Sequence, residues 1–337
     1  MEASSSRRSI AALPRIELMA WGELADDREC TVVCSPAAWA AVADRLTGLR
    51  VAARREVTQA VEEEWREYLS GVRGEIIYAV GGGLAVDAAK YLADRSGRGL
   101  VCLPTALSAD AFFTPAAGVR RDGCVRYVTM RAPDRVCVDL DVIARAPAAV
   151  RAAGVCDLLS IATGSWDWRR AEELGLNPPG MAYCEYADRI AAAILETTLE
   201  CAAAAGRGDR GGLKALLDCL VLEVELCNLL GHSRPEEGSE HYFAYAVEGR
   251  MSGTRSHGEV VGPGILIMAA AQGQEIQPLR SALAACGVPL AAIPQQEMRA
   301  TLRELPQYCA RHDLPHGIAH ELAEERVWRR AEAALRD

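Results

Sequence analysis

The stretch Ile76-Ile77-Tyr78-Ala79-Val80-Gly81-Gly82-Gly83-Leu84-Ala85-Val86-Asp87-Ala88-Ala89-Lys90 runs from an apolar segment through three glycines into a helix-like pattern. Glycines between a strand and a helix let backbone approach a bulky anion, and the unpaired N–H groups and dipole at the helix N-terminus favour negative charge there. The segment therefore reads as a phosphate or pyrophosphate cradle. It is not the G-x-G-x-x-G of the ordinary dinucleotide fold, because Val86 holds the place of the third glycine. It is not a P-loop either, since Gly-Lys-Ser/Thr is missing. A glycine turn that only packs a helix on a sheet is the structural alternative. Asp87 and Lys90, one turn into the helix, read as a solvated ion pair.

Around this turn the pattern is that of βαβ units. Strand-like runs at 31–34, 75–80, 100–103 and 135–139 alternate with helical segments at 37–46 and 84–95, as a parallel sheet requires. Beyond Pro147 such runs cease. Long alanine- and leucine-rich segments follow at 182–205, 212–230, 257–272 and 314–336, broken at 177–180, 206–209 and 231–238 by Gly, Pro, Asn and Asp. The expected fold is an α/β Rossmann-like domain over 1–147 followed by an all-α domain over 148–337. Ligands favour the cleft between two such domains.

The 337 residues suit two domains with a substantial core, and with 5% aromatics that core must be aliphatic. Basic side chains number 37 and acidic ones 46, a net charge of −9 that argues against nucleic acid or an anionic lipid surface as the main partner. Residues 1–22 lack the continuous apolar core of a signal peptide, and no stretch approaches the ~20 apolar residues of a membrane span. Twelve cysteines between Cys30 and Cys309, without CxxC pairs, read as buried thiols of a cytoplasmic protein. Cys30 and Cys34, flanking one strand, are the one pair with a metal or redox alternative.

All six histidines, His232, His241, His257, His312, His316 and His320, lie in the second half. His241 follows Gly238-Ser239-Glu240, and His257 follows Ser256, so each falls near a capped helix start. Two imidazoles there can converge, and a carboxylate from a third helix would complete a three-ligand metal site with an open position. Asp157 is the best-placed carboxylate, an acid on an otherwise apolar segment that needs a partner. That partner is a metal in one reading and an arginine or a backbone cap in the other. His316 and His320, spaced i, i+4, read as a polar helix face. His232 reads as a loop residue that, with Arg234, could approach a substrate anion.

Four blocks in register resemble the glycerol-1-phosphate dehydrogenase family, within the group of iron-containing alcohol dehydrogenases, glycerol dehydrogenases and dehydroquinate synthases. They are GGGLAVDAAK at 81–90, LPTALSAD at 103–110, the segment from 132 to 160 followed by DWRRAEE, and SRPEEGSEH at 233–241 with SHGEVVGPG at 256–264. The resemblance implies a dehydroquinate synthase-like fold with Gly81, Gly82 and Gly83 at the pyrophosphate of NAD or NADP, and Asp87, Thr105 and Ser108 along the cofactor path. It implies Asp110 at the substrate hydroxyls, and Asp157, His241 and His257 as ligands of a divalent metal, zinc or else iron or nickel. The implied reaction is hydride exchange between a metal-bound alkoxide and C4 of the nicotinamide.

Three features depart from that family. Ser108-Ala109-Asp110-Ala111 stands in place of Ser-His-Asp-Gly and is followed by Phe112 and Phe113; Glu236 and Glu237 stand where small residues are usual; and the C-terminal segment with arginine and tyrosine is not evident. All three are expected on the substrate side. Two carboxylates would repel a phosphate ester, so the expected substrate is a larger or cationic alcohol or ketone, including a hydroxyl on a peptide. After the first strand, Cys34-Ser35-Pro36 offers neither an acid for a ribose diol nor an arginine for a 2′-phosphate, and NAD is the expected cofactor. Three further readings are a true glycerol-1-phosphate dehydrogenase, a non-redox cyclase or lyase resembling dehydroquinate synthase, and a catalytically silent subunit. A homo-oligomer is expected.

Overall fold

A computed structural model describes residues 10–251 and 255–335; the expectations for 1–9, 252–254 and 336–337 lie outside the described residues. Six parallel strands, β1 (Arg15–Leu18), β2 (Asp26–Cys34), β3 (Leu49–Glu56), β4 (Ile76–Gly81), β5 (Gly99–Pro104) and β8 (Arg135–Val138), form one sheet in the order β1-β8-β5-β4-β2-β3. β6 (Ala116–Arg121) and β7 (Cys124–Thr129) form a separate antiparallel hairpin. The central strands carry apolar residues on both faces, as in β4, which is buried throughout.

Among the helices, α1 (Pro36–Val42), α2 (Glu62–Tyr68) and α3 (Gly83–Ser96) accompany the sheet. After β8 only helices follow: α4 (Leu140–Ala144), α5 (Ala148–Arg151), α6 (Val155–Leu159), α7 (Ile161–Glu173), α8 (Glu185–Gly206), α9 (Arg210–Leu230), α10 (Ser239–Arg250), α11 (His257–Gln272), α12 (Gln277–Ala285), α13 (Gln295–Arg311) and α14 (Glu325–Ala334). No helix is long and apolar enough to cross a membrane among the described residues.

The strand order places the site. From β2 the chain moves outward to β3, then returns to pair β4 on the other side of β2, so the crossovers reverse between β2 and β4. Ligands of open parallel sheets bind beyond the strand ends at such a switch point, and here that point is the Ser35 turn facing Gly81. A cavity of about 1560 Å³ opens there and reaches across to α9, α10 and α11. That is larger than most single-ligand pockets and has room for a dinucleotide beside a substrate.

Two expectations fail locally. The helix expected over 314–336 is broken into a 3-10 turn (Ile318–Glu321) and α14, while α13 precedes it. The break lies at Gly317: the buried carboxylate of Asp167 accepts the Ile318 N–H at 2.8 Å, and a Cβ on residue 317 would stand 2.2 Å from Asp167 Oδ2. His316 and His320 therefore lie outside any α-helix; their rings stack 5.0 Å apart beside Glu321, away from the cavity. The second failure is the solvated Asp87–Lys90 pair. Lys90 is fully buried, lies 3.6 Å from Asp87 and donates to the Ala116 carbonyl at 2.6 Å, while Asp87 Oδ2 accepts the Gly118 N–H at 3.1 Å. The pair fastens the β6–β7 hairpin over α3.

Candidate active site

The glycine turn is shaped by its own conformation and by Ser108. Gly81 has φ +148°, a region L side chains avoid, and a Cβ there would meet Ala85 Cβ at 3.1 Å and Ser35 Oγ at 3.2 Å. A Cβ on Gly82 would stand 2.9 Å from Ser108 Oγ, whose own hydroxyl is buried without a hydrogen-bond partner. Gly82, Gly83, Thr105 and Ser108 line the cavity, and the Thr105 N–H donates to the Gly81 carbonyl at 3.1 Å. An unpartnered hydroxyl opposite the first N–H groups of α3, which have no intrahelical acceptor, fits the pyrophosphate of a nicotinamide dinucleotide. Asp87 also lines the cavity, but its carboxylate is occupied by Lys90 and Gly118. Arg45 and Arg145 line the cavity as well, basic groups that Cys34-Ser35-Pro36 alone did not reveal.

Opposite the glycines, three helices bring Asp157 (α6), His241 (α10) and His257 (the first residue of α11) to one point. One ligand atom from each lies within 4.8 Å of the others. Asp157 and His241 are each 3% exposed, and the His257 side chain is 30% exposed, open to the cavity. Asp157 Oδ1 is 2.5 Å from His257 Nε2 and 3.9 Å from His241 Nε2. Asp157 Oδ2 accepts the backbone N–H of Asp110 at 2.9 Å, placing the Asp110 carboxyl at the same wall. Burial and the charge of Asp157 push the Asp110 carboxyl up to about 7.

Glu240 fixes the His241 ring. Its Oε1 lies 2.9 Å from His241 Nδ1 and accepts the Gly238 N–H, and its Oε2 accepts the Thr163 hydroxyl at 2.7 Å. With Nδ1 engaged by a carboxylate, Nε2 is the nitrogen left to face Asp157 and the cavity, the usual arrangement behind a metal-binding imidazole. One carboxylate and two imidazoles, open on one side, suit a divalent cation such as Zn²⁺.

The ring's proton has a consequence. Burial disfavours charge on His241, yet Glu240, and then Glu237 and Asp157, raise its pKa to about 9. A metal ion on Nε2 must displace that proton. Zinc affinity should therefore climb about tenfold per pH unit from neutral to about 9 and level off above, read by titration against a competing chelator. A flat profile would remove His241 from the ligand set.

Several sequence expectations are corrected here. Arg234 is 3% exposed and turned from the cavity, donating to the His316 carbonyl at 2.8 Å and the Tyr242 hydroxyl at 3.3 Å, so it offers nothing to a substrate anion. Phe112 and Phe113 are fully buried in the core rather than on the substrate side. Cys30 and Cys34 are buried in β2, where burial pushes both thiols up to about 11, and neither joins a metal-ligating cluster among the described residues. His312 caps α13 with its ring 4.4 Å from Tyr308. His232 does line the cavity, its ring edge-on to Trp168. Glu236 and Glu237 also line it.

Sequence reasoning missed Glu240, although it adjoins a candidate ligand. It also missed Glu223, an acid inside the apolar run Leu220-Val221-Leu222-Glu223-Val224 that the logic applied to Asp157 would have found. Glu223 is 2% exposed and lines the cavity.

Comparison with known proteins gives the following likenesses. The family model for iron-containing alcohol dehydrogenase matches residues 25–147. Glycerol-1-phosphate dehydrogenase [NAD(P)+] from Aeropyrum pernix is 34% identical over 243 residues, 72% of this chain and 67% of that protein. The enzymes of the same name from Hyperthermus butylicus and Sulfurisphaera tokodaii are each 33% identical, with 67% and 63% of their lengths covered. Among solved structures, a probable glycerol dehydrogenase from Sinorhizobium meliloti has a TM-score of 0.68 at 20% identity, covering 98% of this chain and 99% of that one. ValA, a 2-epi-5-epi-valiolone synthase from Streptomyces hygroscopicus with NAD+ and Zn2+ bound, has a TM-score of 0.65 at 17% identity over both full lengths. At such identities the two structures speak for the fold.

Proposed function

This chain belongs to the glycerol-1-phosphate dehydrogenase branch of the iron-containing alcohol dehydrogenases, NAD(P)-linked oxidoreductases that act on CH–OH groups, and we propose that it exchanges hydride between such a group and NAD or NADP on a substrate other than glycerol phosphate. The observation that carries the reading is the placing of Asp157, His241 and His257 on the wall of the cavity whose other wall is Gly82, Gly83 and Ser108. A divalent cation held by the first set would supply Lewis-acid activation of a substrate oxygen, and a nicotinamide dinucleotide on the second would supply or take up hydride.

The residues of the chain do the rest. Glu240 holds the His241 ring, and the Asp110 N–H holds Asp157. The Asp110 carboxyl, with a pKa near neutrality, is suited to accept a hydrogen bond from a substrate hydroxyl and to hold its proton. The core of α10 and α11 behind the histidines keeps bulk water from that side.

Glu223, Glu236 and Glu237 on the cavity wall, with Arg234 turned away, support a substrate without a phosphate, a larger or cationic alcohol or ketone, including a hydroxyl borne on a peptide. Zinc-reconstituted protein should reduce NAD(P)+ with some alcohol, followed by the absorbance of the reduced nicotinamide, and should turn over glycerol 1-phosphate only feebly. Turnover of a sugar phosphate with no net change in nicotinamide would instead favour a cyclase.

A further inference from the structure

Among the described residues seven carboxyl groups, those of Asp87, Asp110, Asp157, Glu223, Glu236, Glu237 and Glu248, line this one cavity. The contacts already described occupy Asp87 and Asp157, and Glu248 is paired with Arg120. Glu237 accepts the Ser233 hydroxyl at 2.7 Å and the Tyr245 hydroxyl at 2.5 Å. Glu223 and Glu236 are different.

Glu223 Oε1 accepts the Cys227 thiol at 2.9 Å, but Glu223 Oε2 is buried with no hydrogen-bond partner. Glu236, 8% exposed, stands on the loop held by its N–H to the Ser233 carbonyl, and its carboxyl makes no hydrogen bond or ion pair among the described residues. Ligand atoms of Glu223, Cys227 and Glu236 lie within 4.8 Å of one another. Among the described residues no ion pair joins either glutamate to a basic side chain, although Arg45, Arg145 and Arg255 also line the cavity. The two lysines of the chain are engaged elsewhere, Lys90 under the hairpin and Lys214 with Asp218. Of the nearby arginines, Arg120 is paired with Glu248 and Arg234 faces away.

Burying a carboxylate without a partner is costly, so a protein that keeps two together beside an open cavity leaves the counter-charge to a ligand. Burial raises both groups well above the usual carboxylate range, helped at Glu223 by the charge of Asp110 and at Glu236 by those of Glu223 and Asp110. A hard divalent metal is poorly served by a donor set completed by Cys227, a thiol that burial holds protonated. An ammonium group, with three donors to share between two carboxylates, matches it better.

We propose that Glu223 and Glu236 form an ammonium-binding subsite, and that the substrate is an alcohol, or the corresponding ketone, carrying a protonated amine that docks there while its oxygen faces Asp157, His241 and His257. The assignment of the oxygen rests on the redox reading above; the ammonium subsite does not.

Three probes share one diol and differ only at the third carbon: 3-amino-1,2-propanediol, glycerol and glycerol 1-phosphate. Calorimetric titration of zinc-reconstituted protein with NAD+ should show the amine binding about 10- to 100-fold more tightly than glycerol, the worth of charge-assisted hydrogen bonds, with glycerol 1-phosphate weakest. In Glu223→Gln and in Glu236→Gln the amine-to-glycerol ratio should fall toward one. A preference for glycerol 1-phosphate, or an amine preference that survives both substitutions, would overturn the subsite. So would a second divalent ion per chain that Glu223→Gln removes. Amine binding that depends on both glutamates but produces no reduced nicotinamide with any alcohol would uphold the subsite and sink the redox reading. Efficient oxidation of glycerol 1-phosphate would uphold hydride transfer to the nicotinamide but sink both the non-phosphate substrate and the subsite.

Discussion

Replacing His257 by alanine should leave a folded protein that holds divalent metal at least about 100-fold more weakly and loses at least about 1000-fold in kcat/KM. The residue is the right one to remove because the fold asks little of it. It is the first residue of α11, its side chain is 30% exposed, and the helix start is secured by Ser256 and Glu259 in a capping box that does not involve the ring. His241 is a poorer choice, since its loss would strand the buried Glu240 carboxylate and confuse a metal effect with a folding one. Metal content after dialysis, turnover and the thermal melt of His257→Ala measure the three quantities separately. Metal content equal to that of the parent would show that the Asp157–His241–His257 cluster is not the metal site, and unchanged turnover would remove the metal from the reaction.

What sequence made legible follows the range of the interactions. The glycine turn, the parallel strands around it and the shift to helices, read beyond Pro147 and found from Leu140, are written in local periodicity, and the structure has β4 and α3 where the pattern put them. The β6–β7 hairpin went unread, although Asp122-Gly123 carries its signal: both residues have positive φ, as a two-residue hairpin turn requires. Its role was not legible. Only the folded chain shows that Lys90 reaches Ala116, that Arg120 pairs with Glu248, and that Tyr127 meets Tyr245 at 3.2 Å, so that the hairpin ties α3 to α10 across the cleft. Asp157, His241 and His257 could be proposed from residue type, because an acid on an apolar helix and capped histidines are locally odd. Which way Arg234, Phe112 and Phe113 point depends on packing between segments far apart in the chain, and neither their local setting nor a family pattern carries that.

The largest stability effect is expected at Asp167. It is fully buried on α7 and accepts four hydrogen bonds: at Oδ2 from the Ser239 N–H (2.8 Å) and hydroxyl (2.5 Å), and at Oδ1 from Gln272 Nε2 (2.9 Å) and the Ile318 N–H (2.8 Å). It thereby joins α7, α10, α11 and the 3-10 turn after Gly317. Asp167→Ala would orphan several buried donors, each costing about 1–3 kcal/mol, and after relaxation and water entry about 4 kcal/mol should be lost, a fall of roughly 5–10 °C in Tm. Asp167→Asn should fall between the two, because its amide turns a donor toward groups that are all donors. The damage should reach the metal site: Ser239 opens α10 two residues before His241, so zinc affinity should drop about 10- to 100-fold even well below the melt. If Asp167→Ala melted with the parent, the four hydrogen bonds would not be holding these helices. If it melted early yet bound zinc as tightly, the start of α10 would be set by Glu240 and its Thr163 contact instead.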